Sequence, residues 1–252
     1  MVPRATIKEN GKGEFTVLYI KNTPNNAGVA IYGDCLDFDA LYEALHIVTG
    51  DEEEYVRFDE ARTRVYAVCY DLRHALMGDR EVEFVDNGMD KDKMRNMAII
   101  AHDKNVYLKI NVLWPELLFV TMALNDFVRL HAKKQAKNSY DMILNKRNIW
   151  DESIAQVRLF QAAIAKCIKE VVSPASYSRM MNLLNHDYTW TNGYITQYLD
   201  VLNIKFIDMD KEKRLKSIPT MAKRLNEHDK EYREIASTLL EGAREFGCSV
   251  KE

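Results

Sequence analysis

The stretch VYLKINVLWPELLFVTMAL, residues 106–124, contains both kinds of secondary structure that define this chain. Over residues 106–112 apolar and polar side chains alternate, which is the period of a half-buried β-strand. Residues 117–130 are apolar on almost every side, which indicates a helix at the centre of the molecule. Pro115 suits the first turn of that helix. The stretch therefore predicts a strand that runs directly into a central helix.

The chain before this stretch predicts a mixture of strands and helices. Further strands are predicted at 6–9, 15–21, 27–33, 81–86 and 97–102. The first two join through the turn signal Asn10-Gly11, and the last forms a hairpin with 106–112. Because 15–21 is apolar on both faces, it is predicted to be a central strand.

Two helices are predicted between these strands. One begins at Asp37 as its N-cap and ends near Gly50, and the other covers 59–78. The apolar stripe of the second helix excludes its arginines, so Arg62, Arg64 and Arg73 are predicted to be exposed.

The chain after residue 112 is predicted to be helical throughout. Helices are predicted at 117–130, 151–172, from 174 onward, 191–202, 219–225 and 229–247. The predicted fold class is therefore α+β, a small and mainly antiparallel sheet packed against helices, with an all-α C-terminal half. Because no linker separates the regions 1–112 and 113–252, we expect them to pack as one continuous unit.

Composition narrows the class of protein. The chain has 252 residues, 47% of them hydrophobic and 29% charged, which is typical of a globular protein and not of a disordered one. Its formal net charge is −3, so it lacks the strongly basic character of many nucleic-acid-binding proteins.

The cysteines and the apolar segments indicate a cytoplasmic location. The four cysteines, Cys35, Cys69, Cys167 and Cys248, are widely spaced and are predicted to be reduced thiols. No apolar signal region is found at the N-terminus. The most apolar segment, 112–124, is too short to span a bilayer, which requires about 20 residues. A soluble cytoplasmic protein without a membrane partner is therefore predicted.

Three histidines are followed directly by aspartate. The pairs are His102-Asp103, His186-Asp187 and His228-Asp229. Histidine and carboxylate side chains bind metals and transfer protons, so His102, Asp103, His186 and Asp187 are candidate catalytic residues of a metal-dependent hydrolase. Aspartate is also a frequent turn and N-cap residue, and this structural role is the alternative for all three pairs.

The order His74, His102-Asp103, Asp141 resembles the HD phosphohydrolases, whose adjacent histidine and aspartate bind metal. That family is helical around its motif, whereas His102-Asp103 falls in a predicted turn. No residue is therefore assigned to a metal, and no cofactor is predicted.

An aromatic cluster and two basic segments are the remaining candidates. Tyr188, Trp190, Tyr194 and Tyr198 are predicted to line either a binding pocket, a dimer face or the core. The segments 129–147 and 211–224 are rich in lysine and arginine, which suits either phosphate contacts or solvated helix faces. The second segment, around Pro219, has some features of a helix-turn-helix but lacks the usual glycine.

The stretch FTVLYIKNTPNNAGVAIYGDCLDFDALYEALH, residues 15–46, resembles the opening of an uncharacterised bacterial family, a domain of unknown function. The resemblance implies a bacterial cytoplasmic protein and supplies no catalytic residue.

Three functions remain open. The leading prediction is a non-catalytic binding or interaction protein that acts as a homodimer and takes an unknown small molecule or protein. It is based on helices rich in methionine, tyrosine and aliphatic residues, and on the lack of a nucleotide-binding or hydrolase motif. The second is the metal-dependent hydrolase, and the third is nucleic-acid binding through 211–224.

Overall fold

A computed structural model describes residues 18–136, 145–185, 194–227 and 229–246. In these ranges the chain forms, in order, β1 (Tyr19–Asn22), β2 (Gly28–Gly33), α1 (Cys35–Thr49), α2 (Asp59–Leu76), β3 (Glu81–Asp86), α3 (Lys91–Met97), β4 (Lys104–Leu113), α4 (Trp114–Gln135), α5 (Lys146–Ile149), α6 (Glu152–Val171), α7 (Pro174–Leu184), α8 (Ile195–Ile207), α9 (Lys211–Glu227) and α10 (Lys230–Glu245). The predicted α+β class is confirmed.

The four strands form one antiparallel sheet in the order β1-β2-β4-β3. Its register places Ile31 opposite both Ile20 and Ile110. In this order β1 is terminal, although residues 15–21 were predicted to form a central strand. The predicted neighbour at 6–9 lies outside the described residues.

The two faces of the sheet carry different side chains. Val29, Ile31 and Ile110 lie on the face that packs against the helices, in the main hydrophobic core. On the other face Ala30, Tyr32 and Tyr107 form a small separate cluster. β2 is buried along its whole length because it has a strand on each side and apolar contacts on both faces.

Residues 97–102 do not form the predicted strand. The hydrogen-bonded neighbour of β4 on this side is β3, with Phe84 opposite Val106. The chain between the two strands forms α3, whose N-cap Asp90 accepts a hydrogen bond from the Lys93 N–H, and Ala98 ends it in a left-handed conformation. The prediction was wrong because β3 occupies the edge of β4 that 97–102 would need.

The N-cap of α1 is Asp34 and not Asp37. The Asp37 N–H donates to Oδ1 of Asp34 over 2.9 Å, and the Asp34 N–H donates to Oδ2 of Asp37 over 3.0 Å. This reciprocal pair is a capping box, so Asp37 occupies its third helical position. The helix therefore begins earlier than predicted.

Arg62 on α2 is buried, contrary to the prediction. The predicted apolar stripe of this helix, Ala61, Val65, Val68, Leu72 and Ala75, is buried as expected. Arg62 is 2% exposed and donates to the backbone oxygens of Thr49, Glu52 and Glu54. The chain between α1 and α2 thus folds over the guanidinium, which a single-helix pattern does not reveal.

The strand-to-helix junction follows the prediction. β4 ends at Leu113, and α4 begins at the next residue, Trp114, which is fully buried. α4 is buried around most of its circumference and contacts α2, α6 and α8. One hydrophobic core includes residues from both halves of the chain. A boundary near residue 112 stays a prediction.

The C-terminal helices differ from the prediction in two places. α8 continues to Ile207, and residues 211–227 form a single helix, α9, with Pro219 inside it instead of a short helix after it. The cap role predicted as the alternative for the His228-Asp229 pair is confirmed for Asp229, which accepts a hydrogen bond at the N-terminus of α10. Asp151 and Ser173 cap α6 and α7 in the same way. None of the described helices is long and apolar enough to cross a membrane.

Candidate functional site

A cavity of about 190 Å³ lies between α4, α6 and α7. The residues that line it are Thr121, Asn125, Arg158, Gln161, Ala162, Ile164, Ala165, Ile168, Met181, Leu184 and Asn185. We call this space the α4–α6–α7 cavity. Its lining combines an apolar part with several uncharged polar groups and one cation, a combination typical of small-molecule sites.

The helical period brings the polar groups together. Thr121 and Asn125 are one turn apart on α4, and Arg158 and Gln161 are three residues apart on α6, so each pair lies on one helix face. The apolar part of the cavity comes from Ile164, Ile168, Met181 and Leu184.

A hydrogen-bond network fixes the polar side chains. The Asn125 Nδ2 donates to the Leu184 carbonyl over 2.6 Å, which ties α4 to α7. The Gln161 Nε2 donates to the Thr121 carbonyl over 2.9 Å and to Oδ1 of Asn125 over 3.1 Å, which ties α4 to α6. These contacts hold the amides in place without a ligand, so the polar side of the cavity is pre-formed.

Arg158 is the charged group of this cavity. Its Nη1 donates to Oδ1 of Asn125 over 2.6 Å and to Oε1 of Gln161 over 2.7 Å. Both acceptors are neutral, and no carboxylate among the described residues forms an ion pair with Arg158. Arg158 is partly exposed to solvent, and the burial of the rest of its side chain lowers the pKa of the guanidinium.

Other arginines in the fold do have carboxylate partners. Arg64 pairs with Asp200 over 2.8 Å, and Arg224 pairs with Asp229 over 2.7 Å. Arg158 differs from them in facing a cavity with only amide partners. A guanidinium has five N–H donors in a planar fork, so an anion that enters the cavity finds donors available.

A family model described as a domain of unknown function (DUF6904) matches residues 18–252. The chain belongs to this family. The match extends far beyond residues 15–46, on which the resemblance to an uncharacterised family was based, and it includes every residue that lines the cavity. Comparison with curated proteins and with solved structures found no match.

The structure of this DUF6904 member describes one of the two predicted catalytic pairs, His102-Asp103. His102 and Asp103 are exposed and lie just before β4, where Asn87 donates to the His102 carbonyl over 2.9 Å. In the described part of the chain, no three His, Cys, Asp or Glu side chains lie close enough together to hold a metal ion. His186 and Asp187 lie outside the described residues, as do His228 and Asp141.

Two members of the predicted aromatic cluster, Tyr194 and Tyr198, belong to the described residues. Tyr188 and Trp190 lie outside them. Tyr198 is fully buried, and its hydroxyl donates to Oδ1 of Asp229 over 2.7 Å. Burial raises the pKa of Tyr198, and the hydrogen bond to Asp229 raises it further. The Tyr194 hydroxyl is buried and has no hydrogen-bond partner among the described residues. Tyr198 therefore packs in the core and holds the start of α10.

Asp229 connects three elements. It caps α10, accepts from Tyr198 and pairs with Arg224. Burial favours its protonation, but the hydrogen bonds from Arg224, Tyr198 and the Tyr232 N–H outweigh this and lower the pKa of Asp229. The Arg224 cation of the basic segment 211–224 is thus bound within the protein.

The cavity residues were not found from the sequence. Arg158 and Gln161 are spaced like residues on a solvated helix face, and nothing in the local pattern shows that α7 closes over them. Their only signal is their position next to the buried residues Val157 and Phe160.

A second polar cluster lies between α2, α4 and α8. Oε2 of Glu116 accepts from the Asn203 Nδ2 over 2.9 Å and lies 3.7 Å from Nη1 of Arg64. Oε1 of Glu116 and Oδ1 of Asn203 are buried and have no partner among the described residues. Burial raises the pKa of Glu116, and the hydrogen bond from Asn203 and the Arg64 charge offset only part of this effect.

We expect Glu116→Gln to increase stability more at neutral pH than near pH 4.5. A carboxyl whose pKa is raised in the folded state contributes stability below its unfolded pKa of about 4.3, and this contribution is lost as the pH rises through the folded pKa. Glutamine keeps the shape of the side chain without its charge, so the stability of the variant does not fall as the pH rises through the folded pKa of Glu116. Urea denaturation of both proteins at the two pH values measures the difference.

The exposed Glu43 on α1 provides the control. Glu43→Gln is expected to change stability equally at both pH values, within about 0.5 kcal/mol. A Glu116→Gln effect that is the same at both pH values would contradict the assignment of a buried, charge-disfavoured carboxyl.

Proposed function

We propose that this chain is a cytoplasmic, non-catalytic binding protein that takes a small carboxylate with an apolar body in the α4–α6–α7 cavity. The observation that carries the proposal is Arg158, a partly solvent-exposed cation that lines the cavity and whose hydrogen-bond partners among the described residues are two neutral amides. A carboxylate would supply the missing counter-charge through a bidentate pair.

The rest of the cavity sets the chemical class of the ligand. Its apolar residues, including Ile168 and Met181, suit a hydrocarbon chain or ring, and the amides of Asn125 and Gln161 add orientation. A volume of about 190 Å³ is below the usual range of about 300–1,000 Å³ for drug-sized ligands. The enclosed part of the ligand is therefore small, comparable with benzoate or hexanoate.

The lining residues also favour binding over catalysis. The described residues around the cavity include no histidine, cysteine, aspartate or glutamate. These side chains are the common nucleophiles and general acids or bases. An arginine with two amides is suited to holding an anion.

Benzoate and its neutral analogue benzamide test the role of charge. We expect benzoate to shift the side-chain amide NMR signals of Asn125 and Gln161 in a saturable way, and benzamide to bind at least tenfold more weakly. Arg158→Gln should weaken benzoate binding about tenfold to a hundredfold, because a hydrogen bond to a charged group contributes about 1.5–3 kcal/mol. NMR titration gives the dissociation constants.

Arg179→Gln is the matched control, because Arg179 is an exposed arginine on α7 that does not line the cavity. This variant should bind benzoate like the parent chain. Equal weakening by both substitutions, equal binding of benzoate and benzamide, or no saturable shift with benzoate and hexanoate would contradict the proposal.

We also propose that the chain acts as a homodimer, and a specific set of exposed residues favours this. Residues 81–106, which we call the β3–β4 excursion, carry large hydrophobic side chains that the helices leave uncovered. They are Val82, Phe84, Met97, Ile99, Ile100 and Val106. Exposed apolar side chains concentrated in one segment are typical of protein–protein interfaces.

A further inference from the structure

β3 is an edge strand of the sheet. Its hydrogen-bonded neighbour is β4, and no described strand pairs with its other side. In an antiparallel ladder, alternate residues direct their N–H and C=O groups away from the existing neighbour. The outer side of β3 therefore offers a row of backbone donors and acceptors to another strand.

The side chains of β3 leave that edge accessible. Phe84 is 64% exposed and Val82 is 45% exposed, although both belong to the face that carries the core residue Leu108. The loop that follows α3 adds Ile100, which is fully exposed. An accessible edge next to uncovered apolar side chains suits a strand that adds to the sheet.

Charge restricts which strand fits. Glu81 pairs with Lys109 over 2.5 Å, and Lys104 lies opposite Asp86 in the register. Both carboxylates thus have a lysine of β4 beside them. Glu83 lies opposite Tyr107, and on the same face it has a hydrogen bond with Tyr32 and the charge of Lys109 nearby. A partner strand still has to avoid placing a second carboxylate opposite Glu83.

We propose that β3 pairs with β3 of a second copy, antiparallel, with Phe84 opposite the partner subunit's Phe84. This inference rests on the proposed self-association and specifies its interface. The pairing is two-fold symmetric, so one patch serves both subunits. It joins the two four-stranded sheets into one continuous sheet.

Two registers are compatible with a two-fold axis perpendicular to the sheet, and each pairs five of the six residues of β3. In both registers the helix-packed faces of the two sheets lie on the same side of the joined sheet. The register centred on Glu83 places Glu83 opposite the partner's Glu83, and like charges directly opposite each other are destabilising. The register centred on Phe84 places Glu83 opposite the partner's Val85 and stacks the two phenylalanines. Phe84 is therefore the centre of the interface.

Single cysteines distinguish these registers. At position 84 the two Cα atoms lie directly opposite, about 4.5–5.5 Å apart, which a disulfide spans. At position 83 they are offset by two residues, and a rise of about 3.4 Å per residue puts them roughly 8 Å apart, beyond disulfide reach. Oxidation of Phe84→Cys should therefore give a covalent dimer, and Glu83→Cys should give far less.

The parent chain is the control for disulfides that form through random collisions, because its own Cys35 is exposed. Covalent dimer from Phe84→Cys should clearly exceed that from the parent chain under the same mild oxidant. Cross-linking that is strongest for Glu83→Cys would overturn the register, and cross-linking of neither variant above the parent would overturn the interface.

Light scattering on uncrosslinked protein separates this inference from the proposed self-association. We expect the parent to have twice the chain mass of 29.3 kDa, Phe84→Glu to be monomeric, and Leu36→Glu to stay dimeric. Leu36 is the control because it is 78% exposed on α1, away from β3. A monomeric parent would remove the self-association, whereas a dimeric, folded Phe84→Glu would remove only the β3 interface.

Discussion

Replacement of Arg62 by methionine is expected to destabilise the fold by about 3–5 kcal/mol, because it leaves three backbone carbonyls without their donor and each buried acceptor left unsatisfied costs about 1–3 kcal/mol. The side chain of Arg62 is 3% exposed. It donates to the Thr49 carbonyl over 3.3 Å, to the Glu52 carbonyl over 3.3 Å and to the Glu54 carbonyl. Methionine fills much of the volume but leaves these oxygens without their donor.

A further contact raises the cost. Nη1 of Arg62 pairs with Oδ1 of Asp59 over 2.6 Å, so the substitution also removes the counter-charge of a carboxylate in the first turn of α2. Chemical denaturation in urea measures the loss. Arg73→Met on the same helix is the control, since Arg73 is exposed and should cost no more than about 0.5 kcal/mol. Equal effects of the two substitutions would show that Arg62 does not hold the α1–α2 connection.

Arg62 also shows where sequence patterns stop being sufficient. The period of α2 correctly assigns Val65, Val68 and Leu72 to the core, because the spacing of apolar residues is a local property. Whether Arg62, which lies beside this stripe, is exposed depends on the path of residues 50–58. The helical period of α2 carries no information about that path. The same holds for Arg158, whose surroundings depend on α7.

The prediction of strand pairing at 97–102 was wrong for the same physical reason, namely that the local pattern does not determine the tertiary surroundings. Residues 97–102 contain Ile99 and Ile100, which have high β-propensity, but whether such a segment pairs depends on its tertiary context. Val82 and Phe84 of β3 occupy the edge of β4 that this segment would need. The capping box of α1 was missed by three residues, because Asp34 and Asp37 are both acceptable N-caps and only the backbone distinguishes them.

The junction between β4 and α4 was predicted because both of its patterns are local and strong. Here the period changes from two to 3.6 within residues 112–117, and Pro115 marks the start of the helix. This junction sets the fold, since it carries the chain from the sheet directly into the central helix. Trp114 lies at this point.

Trp114→Ala is expected to destabilise the protein by about 3–5 kcal/mol, the range for removing a large buried aromatic side chain. Trp114 is fully buried, and its Nε1 donates to Oδ1 of Asn22 at the end of β1 over 2.9 Å. Its backbone N–H donates to the Ala27 carbonyl over 3.2 Å. The residue therefore connects the first helical turn of α4 with the end of β1 and with the residue that precedes β2.

Trp114→Phe separates the two contributions of this side chain. Phenylalanine keeps most of the apolar volume but has no donor for Asn22, so we expect it to cost clearly less than alanine. The free-energy cost of Trp114→Phe includes about 1–3 kcal/mol, because Oδ1 of Asn22 is left without its donor. Combining Trp114→Phe with Asn22→Ala should cost less than the sum of the two single substitutions, because both remove the same hydrogen bond. Additive losses in urea denaturation would show that the Trp114 indole stabilises the junction by packing alone.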